Sequence, residues 1–231
     1  MSPVNLLFRS GAFLVMMGRI AHCHKAGWFR NQKAKSLWHE KRLFSNSIFE
    51  AEINPVLSTL PLILLDVDHV VNNPFFNKKH WDDTLMVRVK GWNIGYSPAM
   101  VEKFNSFSRT GLAEIRWLTT WDETARTMLA PALGFDEFLL ARDPEKEIEK
   151  DQAAEKLARD YPDRPIVWLD DEVGWYTTET RDFWMQRTAK TLLLQPDQKT
   201  GLTPKQLEIV EKFLKLPSAN LQIDLTDRAG F

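Results

Sequence analysis

The sequence predicts an α/β domain built on a doubly wound, mostly parallel sheet with helices on both faces. Three observations predict it. Short apolar runs of strand length recur at 62–67, 113–119, 164–169 and 191–195. Stretches with apolar residues at helical spacing lie between them. Three of the runs end in polar clusters: Asp66/Asp68, Thr119/Thr120 and Asp170/Asp171/Glu172. Strands that alternate with helices are joined by right-handed crossovers, and parallel strands buried on both faces read as unbroken apolar runs.

Each element has its own signal. The first strand, 62–67, is Leu-Ile-Leu-Leu-Asp-Val. Residues 86–94, with alternating Val87, Val89 and Gly91, predict a hairpin that ends near Gly95. A helix follows over 98–109, with Pro98 suited to the first turn, an apolar stripe at Met100, Val101, Phe104 and Phe107, and Gly111 as the stop. The second strand, 113–119, leads to a helix over about 122–133. A third helix, 146–161, carries Ala153, Ala154, Leu157, Ala158 and Tyr161 on one face. The third strand is 164–169, and a helix over 180–188, a strand over 191–195 and a last helix over 204–214 complete the order. Trp117, Trp168 and Trp184 fall within these patterns and are read as core, whereas Trp81, Trp92, Trp121 and Trp175 are near predicted loops around the strand ends and are candidates for substrate contact.

The chain of 231 residues is long enough for one such domain and an extension. Its division is expected at 1–55, 56–216 and a tail over 217–231. Residues 1–55 hold eight Lys/Arg against three Glu, a formal +5; residues 56–231 hold 22 Lys/Arg against 28 Asp/Glu, a formal −6. The basic extension is open to four readings: a targeting segment, an arm that holds an anionic partner, a tail left by a start assigned too far upstream, or ordinary helical packing. A single cysteine, Cys23, excludes an intramolecular disulfide and a cysteine zinc cluster, and a reducing, cytoplasmic setting is expected. The apolar stretch 11–18 lies between Arg9 and Arg19 and is far shorter than a membrane span, so no membrane partner is expected.

The C-terminal ends of parallel strands share one sheet edge, where open α/β sheets bind ligands. The three polar clusters, about 50 residues apart, therefore converge. Asp66 and Asp68 repel each other unless a divalent cation holds them. Acids, hydroxyls and a lysine at one edge suit phosphoryl transfer: a carboxylate attacks phosphorus, and a cation with Lys and hydroxyl groups neutralises the phosphoryl oxygens. Structural readings stand beside this one. The Asp66/Asp68 pair reads also as a solvated strand end, and the Thr pair and the 170–172 acids as caps of following helices.

At these residues the chain resembles the haloacid dehalogenase (HAD) superfamily. Asp66-Val67-Asp68-His69-Val70-Val71-Asn72 resembles its first motif, Trp117-Leu118-Thr119-Thr120-Trp121 its second and Val167-Trp168-Leu169-Asp170-Asp171-Glu172 its acidic fourth. With Gly201-Leu202-Thr203, the set is most similar to the HAD domains of Swiss Army Knife RNA repair proteins, over about residues 60–216. The resemblance implies Asp66 as nucleophile and Asp68 as general acid and base, with its backbone carbonyl on Mg²⁺. It implies Thr119, with Thr120 as a substitute, on the transferring phosphoryl group. Asp66 and Asp170 would hold the metal, with Asp171 on it directly or through water. Lys150, on the stripe that faces the sheet, is the site lysine, with Lys146 one turn earlier as the other candidate. His69 stands where the family most often has Gly, either as a tolerated substitution or as an added titrating group.

About 50 residues separate the first and second motifs and about 25 separate the second from Lys150, which leaves no room for a large cap domain. An open site suits a macromolecular phosphate. The expected activity is Mg²⁺-dependent hydrolysis of a phosphorylated substrate, with nucleic-acid ends as the candidate class. A non-catalytic module that binds nucleic acid or protein, and a small-molecule phosphatase, are the other readings.

Overall fold

A computed structural model describes residues 60–73, 80–143, 148–174 and 178–216. The expectations for residues 1–55 and 217–231, for Lys146 and for Trp175 fall outside them. A five-stranded sheet organises the domain in the order β5-β4-β1-β6-β7, and every pairing is parallel. Its strands are β1 (Leu62–Leu65), β4 (Glu114–Trp117), β5 (Leu139–Leu140), β6 (Ile166–Leu169) and β7 (Thr191–Leu194). A separate antiparallel hairpin, β2 (Leu85–Val89) and β3 (Trp92–Tyr96), stands between β1 and the first helix.

β1 is central, and all four of its residues are fully buried. Alternation divides the core. Ile63 and Leu65 face Phe104, Phe107, Leu207 and Val210, from α1 (Pro98–Arg109) and α5 (Pro204–Lys215). Leu62 and Leu64 face Ala153, Ala154 and Leu157 of α3 (Lys150–Asp160) and Trp184 of α4 (Thr178–Gln186). Helices thus cover both faces, as a doubly wound sheet requires. Trp117 and Trp168 are fully buried and Trp184 nearly so.

Local chemistry sets the helix ends. Ser97 Oγ accepts the Met100 amide, Asp83 accepts from Ser97 Oγ and from the Ala99 amide, and Pro98 opens α1. Thr203 and Gln206 form a reciprocal capping box on α5. The helix expected over about 122–133 starts at Glu123. Just before it, Asp122 adopts φ 47° and its carboxylate binds Arg142 through both oxygens. The helix passes through a π-helical turn, Ala125–Leu129, and continues as α2 (Ala130–Leu133). The third helix starts at Lys150, after Glu149 in extended conformation.

No separate cap domain occurs among the described residues; the β2–β3 hairpin is the one insertion of size between β1 and β4. No helix among them is long and apolar enough to cross a membrane.

Candidate active site

Strand register brings the polar clusters together. Leu65 lies beside Trp117 on one side and Leu169 on the other. The next residue along each strand is therefore Asp66, Leu118 and Asp170, with Thr119 one step further. The Asp66 amide donates to Leu169 O at 3.0 Å and the Leu118 amide to Leu65 O at 2.9 Å, so the ladder holds past the strand ends. Asp66 and Asp170 are neighbours across one strand spacing.

Beyond Asp66 the chain turns tightly. Val67 O accepts the amides of Val70, Val71 and Asn72, at 3.3, 3.0 and 2.8 Å. His69 takes φ 56° to make this turn, a left-handed conformation that His enters more readily than bulky residues. The same turn folds Asn72 back so that its Nδ2 donates to Asp68 Oδ1 at 3.0 Å. Asn72 Oδ1 accepts the Gly95 amide at 3.0 Å, and Gly95 O accepts the Asn73 amide at 2.6 Å. The hairpin is thereby fastened to the acidic turn.

Lys150 lies at the centre of the charge. Its Nζ is 2.9 Å from Asp66 Oδ2, 2.9 Å from Asp170 Oδ2 and 3.6 Å from Glu172 Oε2. Asp66 Oδ1 accepts the Val67 amide at 2.7 Å. Burial pushes the Asp66 carboxyl up to about 6; the Asp170 charge adds to this, and Lys150 opposes it without winning. For Lys150, burial alone would lower the ammonium, but Asp66 and Asp170 together hold it above its ordinary value. The asymmetry is physical. One ammonium lies between two buried acids, so the cation meets two opposite charges, whereas Asp66 meets a like charge as well as its partner.

Asp66, Asp170 and Asp171 each place a carboxylate oxygen within 4.8 Å of the others, and all three are buried. Three carboxylates against one ammonium leave a formal −2. Octahedral Mg²⁺ takes oxygen ligands at about 2.0–2.1 Å, which sets adjacent ligands about 3 Å apart and opposite ones about 4 Å. The donor type and surplus charge fit a hard divalent cation, and the three carboxylates are close enough to converge on one. Asp68 is absent from this cluster: its carboxylate is turned away, held by Asn72 and by Trp121 Nε1 at 2.7 Å.

Thr119 is buried, and its Oγ1 accepts the Trp121 amide at 3.3 Å, so its hydroxyl hydrogen remains to donate. Thr120 is exposed. His69 Nδ1 lies 2.7 Å from Gln198 O. Trp121 contacts Asp68, Trp81 Nε1 donates to Leu202 O at 2.7 Å, and Trp92, the first residue of β3, is 69% exposed. Sequence reasoning did not single out Asn72, Gln195 or Gln198. Asn72 carries a signal in retrospect, since it is four residues from Asp68 across a turn. The glutamines come from the loop after β7, where no spacing links them to the acids.

The fold and this edge define a class: parallel α/β proteins that carry paired acids, a hydroxyl and a lysine for phosphoryl-transfer chemistry. Residues 62–207 match the family described as the HAD domain in Swiss Army Knife RNA repair proteins. The chain belongs to this family of HAD-like proteins, whose members are mostly hydrolases and phosphatases that use Mg²⁺. No curated protein and no solved structure matches it.

Proposed function

We propose that this protein is a Mg²⁺-dependent phosphomonoesterase that works through an aspartyl-phosphate on Asp66 and acts on nucleic-acid ends. The observation that carries the reading is the pairing of two acids with different surroundings. Asp66 is buried against Lys150, while Asp68, two residues on, is held apart by Asn72 and Trp121.

An Asp66 carboxylate oxygen forms the bond to phosphorus as the ester P–O bond breaks. Protonated Asp68 gives its proton to the leaving oxygen. In the second half, Asp68 takes a proton from water, the water oxygen bonds to phosphorus, and the P–O bond to Asp66 breaks to release phosphate. Lys150 and the Thr119 hydroxyl bind the phosphoryl oxygens throughout. Asp66, Asp170, Asp171 and the Asp68 carbonyl would hold Mg²⁺, which when bound supplies charge neutralisation for the phosphoryl group. The family's tie to RNA repair and the lack of a cap domain among the described residues support an end-phosphate of nucleic acid over an enclosed metabolite.

The test is phosphate release from aryl phosphate and from 3′- and 5′-phosphorylated oligonucleotides, with Mg²⁺ and with chelator. Release that needs Mg²⁺ and vanishes in Asp66→Asn is expected. No turnover across the panel, or equal turnover in Asp66→Asn, would overturn the proposal. Faster turnover of small phosphates than of oligonucleotides would overturn the substrate class alone.

A further inference from the structure

The loop between β7 and α5 touches both halves of the site although it supplies none of the reacting groups. On one side it is stitched to the turn after Asp66. Leu202 N donates to Val70 O at 3.1 Å, Asn73 Nδ2 donates to Thr200 O at 3.2 Å, and His69 Nδ1 bonds Gln198 O at 2.7 Å. Gly201 permits the close approach: it sits at φ 65°, and a Cβ there would come within 3.2 Å of Val70 O. On the other side the loop grips the acidic segment after β6. Gln198 Nε2 donates to Asp171 Oδ2 at 2.8 Å, and Gln195 Nε2 donates to Asp171 O at 2.7 Å.

Asp171 differs from its two partners in the cluster. Asp66 and Asp170 are each within 2.9 Å of Lys150, whereas Asp171 is held by amides. An amide donor is neutral, so it orients the carboxylate without supplying a competing cation, and the second oxygen is left directed. His69 fits the same scheme. A carbonyl only accepts, so the ring proton is on Nδ1, and the bond fixes the Gln198 backbone from which the side chain reaches Asp171. The left-handed conformation that favours Gly at this position is here occupied by a side chain with a partner 129 residues away.

We propose that Gln198 is a positioning residue for the divalent cation, which it serves by holding the Asp171 carboxylate, and that His69 acts through Gln198. This rests on the reading of Asp66, Asp170 and Asp171 as the metal site. A purely structural role for the Gln198 amide is the competing account. The loop already has the Val70–Leu202 and Asn73–Thr200 bonds and the Thr203 capping box to keep its course.

The test is direct binding of Mn²⁺, followed by electron paramagnetic resonance, and of Mg²⁺ by calorimetry, on the full chain without substrate. Gln198→Ala should raise both Kd values about 10- to 100-fold, the range for loss of a partner behind a metal ligand. Its Tm in chelator should match the wild type. His69→Gly keeps the turn and removes the ring; it should weaken binding in the same direction. The double variant should bind no more weakly than Gln198→Ala, because the two act in series. Wild-type affinity in Gln198→Ala overturns the inference and leaves the metal site standing. So does weaker binding matched by a lowered Tm in chelator. A wild-type chain that binds neither ion overturns the metal site and the inference together.

Discussion

Trp121 Nε1 donates to Asp68 Oδ2 at 2.7 Å, which ties the loop after β4 to the carboxylate two residues past Asp66. Asn72 holds the other oxygen at 3.0 Å, so the Asp68 side chain is fixed at both ends. For a group that must hand a proton to a leaving oxygen, orientation is half of its effectiveness.

Trp121→Phe keeps the ring and deletes the donor. A hydrogen bond to a charged group is worth about 1.5–3 kcal/mol, so kcat should fall about 10- to 100-fold with KM little changed. The loss should be largest for alkyl phosphates, whose leaving oxygen needs the proton, and smallest for nitrophenyl phosphate. An equal loss on both substrates would count against Asp68 as the acid that Trp121 orients.

Lys150 Nζ lies within ion-pair distance of Asp66, Asp170 and Glu172. Lys150→Met leaves buried acids without it. Removing one partner of a buried pair costs about 3–5 kcal/mol, and chemical denaturation in chelator should show a loss of that order. Added Mg²⁺ should recover part of it by binding the native state alone. Activity should not return, since the cation does not replace the hydrogen bond to the phosphoryl group that the proposed mechanism gives to Lys150.

Asp66 couples stability to pH. Its folded value, pushed up by burial to about 6, lies above the ordinary 3.8, so the folded chain binds the proton more tightly than the unfolded chain. The stability it contributes is full below about pH 4 and is lost as pH rises through about 6. In chelator, Asp66→Asn removes this titration. The variant should gain on the wild type between pH 4 and 7 by up to about 3 kcal/mol, two pKa units at about 1.4 kcal/mol each. Urea melts across that range check it; a constant difference would show that Asp66 does not titrate there. Saturating Mg²⁺ should shrink the gain, because the ion favours the carboxylate.

The sheet was legible because β1 and β6 are buried on both faces, so their residues form unbroken apolar runs that end abruptly in acids. Strand β5 was not legible: two residues, Leu139 and Leu140, with the first 56% exposed, carry no pattern. The capture of Asp122 by Arg142 ahead of the helix after Thr119 was hidden because the two lie 20 residues apart. The acids and Thr119 could be read as strand-end positions, and register alone brings them to one edge. The donors that orient them could not. Trp121, Gln195 and Gln198 act across 24 to 53 residues of sequence, a distance that periodicity does not reach.

A nucleic-acid substrate makes a demand on the β2–β3 hairpin. Lys90 and Gly91 turn it with φ 52° and 90°, which leaves Trp92 at the tip, 69% exposed and paired with Val89. Exposed Arg88 and Lys90 flank the tip; Arg88 Nε donates to Gly91 O at 3.3 Å and Lys90 Nζ to Thr124 Oγ1 at 3.3 Å, so neither bond joins a carboxylate. The far end of the hairpin is bonded to Asn72 and Asn73, beside the acids. An indole of that exposure can stack one base, at about 1–3 kcal/mol, while the two cations meet phosphates. Trp92→Ala should therefore raise KM for a phosphorylated oligonucleotide about 5- to 100-fold and leave kcat/KM for nitrophenyl phosphate unchanged. Arg88→Gln with Lys90→Gln should flatten the salt dependence of oligonucleotide KM. Equal effects on both substrates would move the hairpin's role from substrate contact to support of the acidic turn.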